Sequence, residues 1–389
     1  MIWLVAGALI PSMLIAWAGG FAVRRWGPHW GFVDRPGHRK VHSRPMPTSG
    51  GLAIWLGIVV PMALGHMLLA AVVAARAGSS AWAAFHIAVP AFVEPHLSGL
   101  VQQSGRLWML LAGGTVLMVL GLMDDRRGLD WRLRLGIQTS VAIGVVLVEP
   151  RLRMTIFLDT PWLTSALSVA WIVGLINAFN MLDNMDGLSA GVASIAAVVF
   201  AAVLLLVPDP IRHPPQLFVG GFLLVLVGSL MGFLWHNRPP ARLFMGDAGA
   251  YLIGYLLAVS TLTATFAGQD APHAILAPLC VLAVPLYDAT TVIAIRLRQG
   301  RSPFVGDKSH FSHRLVELGM TKPQAVLTIY LATTTCSLGA FLLHEVDLAG
   351  ACVVLLLVAC MLVLVAILET TGRRNRGEGD KGGSSNGPT

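Results

Sequence analysis

The sequence predicts an all-α polytopic membrane protein with about eleven transmembrane helices, and three observations lead to this prediction. Hydrophobic residues make up 55% of the 389 residues and charged residues only 12%, about half of the charged fraction that is usual in soluble domains. Apolar runs close to the ~20-residue length of a membrane span recur along the whole chain. Lysine and arginine are concentrated in alternate loops, which is the pattern that orients membrane proteins.

Eleven apolar runs are predicted to span the membrane. A further apolar run, 80–93, is short and contains Pro90, so we expect it at the membrane interface or in an outside loop. Arg24 and Arg25 directly follow the first run, which favours an uncleaved first span with its N-terminus outside. The predicted spans are 1–23, 50–75, 107–123, 133–149, 162–180, 188–207, 217–234, 249–266, 274–296, 324–343 and 348–369.

The distribution of basic residues predicts the orientation of these spans. With the N-terminus outside, the inside loops and the tail hold 22 of the 27 lysine and arginine residues, and the outside loops hold five. This bias predicts a cytoplasmic C-terminus. We expect residues 1–371 to form a single multi-span membrane domain and residues 372–389, which are rich in glycine and serine, to form a disordered cytoplasmic tail.

The stretch NAFNMLDNMDGLSAG, residues 177–191, places carboxylates and amides between two apolar spans. Its acidic and amide side chains are Asn177, Asn180, Asp183, Asn184 and Asp186. On a continuous helix the three asparagines would share one face, and Gly187 would allow the helix to end or turn. Charged groups at membrane depth are costly and usually functional, and oxygen ligands suit Mg²⁺. The stretch therefore predicts a cation or phosphate site, with a plain polar loop as the alternative.

Further carboxylates occur in other loops of the same predicted face. Asp124 and Asp125 are adjacent, so on a helix they point about 100° apart and need not share one role. Asp247 lies between two glycines, which suits tight packing near a ligand, and Asn237 in the same loop is a candidate ligand contact. In the first inside loop, Gly50 and Gly51 would permit close approach of another backbone.

The longest inside loop combines two histidines, three residues apart and on one predicted helical face, with basic residues. His310, His313 and Arg314 suit an anionic ligand such as a diphosphate better than zinc, which would need further nitrogen or sulfur ligands. A basic amphipathic segment at the interface is the alternative. Asp288 lies inside a predicted span, where it is expected to be functional or to pair with Arg296 or a neighbouring span.

The one-sided distribution of these groups separates three classes of function. Carboxylates with Mg²⁺ and a basic cluster are the groups that phosphoryl transfer uses. An enzyme that joins a lipid headgroup to a cytosolic substrate needs them at one interface. A transporter with an acidic cytoplasmic gate would instead bury its coupling charges near the midplane between repeats, and the sequence shows no inverted repeat. An inactive scaffold is the third class, and the intact carboxylates disfavour it.

Five motifs occur in the order VDRPGHRKVHSRPMPTSGG, GLMDDRRGL, NAFNMLDNMDGLSAG, ARLFMGDAG and RSPFVGDKSHFSHRL. Together they resemble the polyprenyl-phosphate N-acetylhexosamine-1-phosphate transferase family, glycosyltransferase family 4, over about residues 31–320. The bacterial undecaprenyl-phosphate N-acetylglucosamine-1-phosphate transferases are the nearest branch. The resemblance implies transfer of N-acetylhexosamine 1-phosphate from a UDP-sugar to undecaprenyl or another polyprenyl phosphate, with release of UMP.

The resemblance also implies roles for individual residues. Asp247 matches the main Mg²⁺ ligand, with Mn²⁺ as an alternative ion, and Asn180 matches a residue that supports the metal. Asp124 and Asp125 match a pair that engages the lipid phosphate or the metal. The other implied catalytic residues, linked to nucleotide or metal placement, are Asp183 and Asp186. The implied substrate contacts are His310, His313 and Arg314 at the diphosphate and sugar, and Lys40 and Asn177 at the nucleotide and phosphate.

Two departures from the family pattern leave the sugar open. Ser312 replaces the middle histidine of the loop motif, and Ala248 and Ala250 stand where threonine and serine are common. Another UDP-amino sugar or a muramoyl-pentapeptide donor is therefore the alternative. The expected partners are the UDP-sugar, the polyprenyl phosphate and membrane lipids, without nucleic acid; some relatives form homodimers. The expected location is the inner or plasma membrane, with the active site on the cytoplasmic face.

Overall fold

The computed structural model describes residues 1–34, 45–76, 93–154, 160–207, 215–264, 266, 272–307 and 309–382. The only strands in these ranges are Val33–Asp34 (β1) and Met46–Pro47 (β2), which pair antiparallel with Val33 opposite Pro47. The helices are α1 (Ile2–Trp26), α2 (Gly50–Arg76), α3 (Leu97–Arg127), α4 (Trp131–Val148), α5 (Pro161–Leu182), α6 (Leu188–Leu206), α7 (Leu217–Asn237), α8 (Gly246–Thr263), α9 (Ala277–Val281), α10 (Ala283–Arg298), α11 (Phe311–Glu317), α12 (Lys322–Leu342) and α13 (Leu348–Gly382).

The predicted all-α membrane fold is confirmed. Among the described residues, nine helices are long and apolar enough to cross a membrane. The pair Pro272–Val281 and Ala283–Arg298, bent by 64°, makes ten if it counts as one span. The remaining predicted run corresponds to α8, whose 18 residues match the shortest of the nine in length but include several glycines, tyrosines and hydroxyl residues. Each predicted span therefore has a helix or a bent pair at its place.

Two helices extend beyond the apolar runs that predicted them. Helix α3 begins at Leu97, ten residues before the predicted start, because a polar segment that includes Arg106 continues the helix past its apolar part. Helix α13 continues to Gly382, into the segment predicted as a tail, and 383–389 lie outside the described residues. Almost all of the predicted interfacial segment 80–93 also lies outside them.

Helix α8 forms the centre of the bundle. Every residue from Ala248 to Thr261 is buried, and the helix packs against α2, α3 and α5. Glycines make this close packing feasible: a Cβ atom on Gly51 would lie 2.2 Å from the backbone nitrogen of Gly249, and one on Gly121 would lie 2.3 Å from that of Ala248. The close backbone approach predicted at Gly51 is thus confirmed, and it fixes the start of α8 between α2 and α3.

A second close contact joins α1 to α7. Cβ atoms on Gly228 and Gly232, one helical turn apart on α7, would lie 2.2 Å from the carbonyl oxygens of Leu9 and Met13, respectively. Small residues at this spacing let membrane helices approach closely. At the end of α7, His236 Nε2 lies 2.9 Å from the carbonyl oxygen of Trp17. The end of α7, from which the next loop departs, is therefore held against α1.

We expect Gly228→Ala to lower the free energy of unfolding by about 1–3 kcal/mol, because the added methyl group meets backbone that cannot rotate away. The matched control is Gly221→Ala on the same helix, where the nearest atom, Leu4 Cδ1, would be 3.9 Å from the new Cβ. Unfolding of both variants in detergent, followed by circular dichroism, measures the difference. Equal stability of the two variants would contradict the close packing of α1 on α7.

Candidate active site

A cavity of about 1000 Å³ lies where α3 ends and α8 begins. Five carboxylates line it: Asp34 on β1, Asp125 at the end of α3, Asp183 and Asp186 in the turn between α5 and α6, and Asp247 in the first turn of α8. Its other polar lining residues include Asn184, Asn237, His313 and Lys322. Acidic motifs more than a hundred residues apart in the sequence therefore converge on one cavity, as their predicted common face required.

The adjacent carboxylates Asp124 and Asp125 have different partners. Asp124 accepts hydrogen bonds from Arg134 Nη1 (2.7 Å) and from the hydroxyl of Tyr251 (2.9 Å). Asp125 accepts from the backbone nitrogens of Asp247 (2.9 Å) and Ala248 (3.4 Å), so it caps the N-terminus of α8. The predicted divergence of the two side chains is confirmed.

Asp247 is held from two sides. Its Oδ1 accepts a hydrogen bond from Asn180 Nδ2 at 2.5 Å, and its Oδ2 lies 4.0 Å from Arg134 Nη1. Asn180 lies in the last turn of α5, so α5 delivers the amide and α8 the carboxylate. Asn180 presents its amide nitrogen to Asp247, and among the described residues no three or more acidic, histidine or cysteine side chains are grouped closely enough to hold a metal ion.

The prediction that Asn177, Asn180 and Asn184 share one helical face is wrong for Asn184, which lies in the turn between α5 and α6. Helix α5 ends at Leu182, so Asn184 does not continue the helical face of Asn177 and Asn180; its Nδ2 instead donates to the carbonyl of Met181. Gly187, with φ +77°, begins α6 as its N-cap, as its permissive backbone suggested. The turn brings both of its carboxylates to the cavity instead of leaving them along a helix.

Burial raises the pKa of Asp183 to about 8, and the nearby carboxylates of Asp247 and Asp186 act in the same direction. Asp186 accepts a hydrogen bond from the backbone nitrogen of Ala241 at 2.9 Å, which links the turn to the loop after α7. The negative charges in this part of the cavity therefore disfavour one another.

Asn237 joins the same turn to the α7–α8 loop. Its Oδ1 accepts from the backbone nitrogen of Gly187, and its Nδ2 donates to the carbonyl of Leu243, both at 2.9 Å. The hydroxyl of Tyr330 on α12 donates to the carbonyl of Gly187 at 2.5 Å. Asn237 thus both lines the cavity and fixes its wall.

The histidine motif is divided between the cavity and the protein interior. His313 and Val316 of α11 line the cavity, whereas His310 Nδ1 lies 3.0 Å from Asp288 Oδ2 and Arg314 Nε lies 2.9 Å from Glu369 Oε2. His310 is the N-cap residue of α11 and directs its Nδ1 toward Asp288 on α10, although its ring centroid still lies 6.3 Å from that of His313.

One further predicted substrate contact, Asn177, is not among the residues that line the cavity. Asn177 Nδ2 donates to Gln138 Oε1 on α4 at 2.7 Å and to the carbonyl of Val173 at 2.8 Å. Lys40 lies outside the described residues. Sequence reasoning did not single out Arg134, which counted only as a positive-inside residue, or Lys322. Their position near the acidic residues is visible only once the helices are packed.

Comparison with known proteins gives a consistent picture. The family model of glycosyl transferase family 4 matches residues 107–265. A probable undecaprenyl-phosphate N-acetylglucosaminyl 1-phosphate transferase of Bacillus subtilis is 30% identical over 376 residues, covering 95% of this chain and 92% of the relative. A decaprenyl-phosphate N-acetylglucosaminephosphotransferase of Mycolicibacterium smegmatis is 32% identical, over 86% of this chain and 80% of its own.

An undecaprenyl-phosphate alpha-N-acetylglucosaminyl 1-phosphate transferase of Escherichia coli is 27% identical, covering 80% of this chain and 76% of the relative. The family match contains Asp124, Asp125, Asp183, Asp186 and Asp247. The relatives extend the similarity along nearly the whole chain. This chain of membrane helices, with its acidic cavity, belongs to glycosyl transferase family 4.

Proposed function

We propose that this protein transfers N-acetylhexosamine 1-phosphate, and specifically N-acetylglucosamine 1-phosphate, from a UDP-sugar to a polyprenyl phosphate. The observation that carries the proposal is the convergence of Asp125, Asp183, Asp186 and Asp247 on one cavity at the end of a membrane bundle. The names of the relatives, which are polyprenyl-phosphate N-acetylglucosamine phosphotransferases, support both the acceptor and the sugar.

The bond changes are those of a phosphoryl transfer. An oxygen of the polyprenyl phosphate attacks the β-phosphorus of the UDP-sugar and forms a new P–O bond. The bond between the β-phosphorus and the oxygen that bridges to the α-phosphate breaks, and UMP leaves with the bonding electrons. The product is a polyprenyl diphosphate sugar, which would start a cell-envelope glycan. The attacking phosphate is already largely ionised at neutral pH, so the reaction does not require an aspartate as general base.

The carboxylates that line the cavity are of the donor type that Mg²⁺ prefers, with Mn²⁺ as the alternative. Asp247 would hold the ion, with Asn180 supporting it and Asp183 nearby. Burial, followed by the neighbouring carboxylates of Asp247 and Asp186, raises the pKa of Asp183, and a divalent cation would offset the charge of those carboxylates. When bound, the ion would neutralise charge on the diphosphate. Arg134 orients Asp124 through a 2.7 Å ion pair, and Asp125 fixes the start of α8 that carries Asp247.

The cavity also fits a reaction between a lipid and a soluble substrate. It is lined by helix ends and the loops between them, which is where a lipid phosphate and a nucleotide can meet. The excess of lysine and arginine in alternate loops supports a cytoplasmic position for this end of the bundle. We therefore place the reaction at the cytoplasmic face of the plasma membrane, on the side where UDP-sugars are found.

The test is UMP release by the purified protein in detergent with UDP-N-acetylglucosamine, Mg²⁺ and undecaprenyl phosphate. We expect release to require all three components and to be abolished by EDTA, with a lipid-linked sugar detected by mass spectrometry. Parallel reactions with UDP-N-acetylgalactosamine and UDP-N-acetylmuramoyl-pentapeptide test the sugar. If UMP were released only with one of the other two donors, the proposed sugar would be wrong, but the proposed reaction class would stand. Folded protein that releases no UMP with any of these donors would refute the proposal.

A further inference from the structure

We propose that Asp288 and Glu369, two buried carboxylates outside the cavity, are positioning residues that hold α11 in place and so set the affinity for the sugar-nucleotide donor. The inference rests on the proposed function for the identity of the donor. Asp288 lies on α10 and Glu369 near the end of the last membrane span; their exposed fractions are 0% and 6%. Neither residue lines the cavity.

Asp288 fixes the beginning of α11. Its Oδ1 accepts a hydrogen bond from the backbone nitrogen of Phe311 at 2.6 Å, and its Oδ2 lies 3.0 Å from Nδ1 of His310. The carboxylate of Asp288 thus contacts both the backbone nitrogen of the first residue of α11 and the side chain of its N-cap residue. The pairing with Arg296 that the sequence left open does not occur; Arg296 instead forms an ion pair with Asp307 at 3.0 Å.

Glu369 fixes the middle of α11 through Arg314, whose exposed fraction is 4%. Glu369 Oε2 lies 2.9 Å from Arg314 Nε and accepts a hydrogen bond from the hydroxyl of Tyr287 at 3.1 Å. The other guanidinium nitrogens donate to the carbonyl of Ser309 (2.8 Å) and to Thr291 Oγ1 (3.1 Å). Arg314 is thereby held by side chains of α10 and α13, as a buried guanidinium requires.

Other residues of the same short helix form part of the cavity wall. Helix α11 has seven residues, too few to be stable without tertiary contacts. Ser312 donates a hydrogen bond to Oδ1 of Asn184 in the acidic turn, and His313 and Val316 line the cavity. Within its two turns, α11 therefore directs Arg314 to the interior and His313 and Val316 to the cavity. If the interior contacts of α11 are lost and the helix shifts, the part of the cavity wall that carries His313 shifts with it. His313 would then change its position relative to the acidic residues of the cavity.

The experiment compares donor binding and turnover in Glu369→Gln, Asp288→Asn and Thr291→Val. The dissociation constant for UDP-N-acetylglucosamine is measured by isothermal titration calorimetry, and KM and kcat by UMP release. The controls are Glu345→Gln, an exposed carboxylate before α13, and Thr290→Val, a neighbour whose hydroxyl donates to carbonyls of its own helix. Thr291→Val is the mildest change, because it removes one acceptor from Arg314 and keeps both carboxylates.

We expect the two carboxylate variants to raise the donor dissociation constant and KM about tenfold, and Thr291→Val about threefold, with little change in kcat. Both controls should match the unmodified protein. Unchanged donor affinity in all three variants, or a loss of kcat at constant KM in folded protein, would overturn the inference. A protein that binds the donor but releases no UMP would refute the proposed function and still allow the binding comparison.

Discussion

Replacing Asp247 by asparagine is expected to lower sugar-phosphate transfer by on the order of 10²- to 10⁴-fold, because the substitution removes the charge that the proposed Mg²⁺ would contact. The change is nearly isosteric. Asparagine at this position still offers an Oδ1 that can accept the hydrogen bond which Asn180 donates to Asp247. The backbone nitrogen of residue 247 still donates to Asp125. The fold should therefore remain, and UMP release by the purified variant measures the loss.

The matched control for Asp247→Asn is Asp130→Asn. Asp130 is the N-cap of α4, where its side chain accepts a hydrogen bond from the backbone nitrogen of Arg132, and asparagine caps helices about as well as aspartate. This control should keep full transfer activity. Ordinary turnover in folded Asp247→Asn protein would rule out a role for the carboxylate charge in the reaction.

The second large effect is expected for Gly121→Ala. A Cβ at this position would lie 2.3 Å from the Cα of Ala248 and 2.5 Å from the carbonyl carbon of Asp247. Since both atoms belong to the backbone, relief requires α8 to move away from α3. Overpacking of this kind costs about 1–3 kcal/mol of unfolding free energy. A shift of about 1 Å at a reactive group can lower a rate about 100-fold, so transfer should fall more than stability.

Gly174→Ala on α5 is the matched control. It tests whether any glycine-to-alanine substitution in this bundle would lower stability and transfer activity. No atom lies within 4 Å of the Cβ that this change would add, and alanine has the higher helix propensity. We expect its melting temperature and UMP release to equal or exceed those of the unmodified protein. If Gly121→Ala behaved like Gly174→Ala in both measurements, the tight contact between α3 and the start of α8 would be wrong.

Hydropathy predicts the helices well because spans must be apolar and their length is set by the bilayer. It fails where a helix extends beyond its apolar run. Helix α3, for example, begins at Leu97, and its first part is polar. Hydropathy also cannot show that the run at 274–296 is two helices bent at Leu282. These features depend on packing and local backbone geometry, and the mean hydropathy of a segment carries no information about either.

Much of the acidic part of the candidate site was predictable because carboxylates are rare in such a chain; of the five that line the cavity, only Asp34 was not singled out. Their partners were not predictable. Arg134 and Glu369 occupy positions typical of membrane anchors, and their contacts with Asp124 and Arg314 join segments far apart in the sequence. Glu369 carried one weak signal, a single acid at the end of the last apolar run. Ion pairs between distant helices follow from the packing of the bundle, which no local pattern describes.

The burial of α8 has a consequence for biosynthesis. Helix α8 is not among the helices apolar enough to cross a membrane by composition, and the helices that cover it, α2, α3 and α5, all precede it in the chain. Synthesis proceeds from the N-terminus, so these helices reach the bilayer before α8 leaves the ribosome. Its insertion is therefore an assembly step that depends on neighbours already in place. The same step brings Asp247 to the carboxylate of Asp125 and the amide of Asn180, whereas the cavity wall that includes His313 and Lys322 is added only with the later helices α11 and α12.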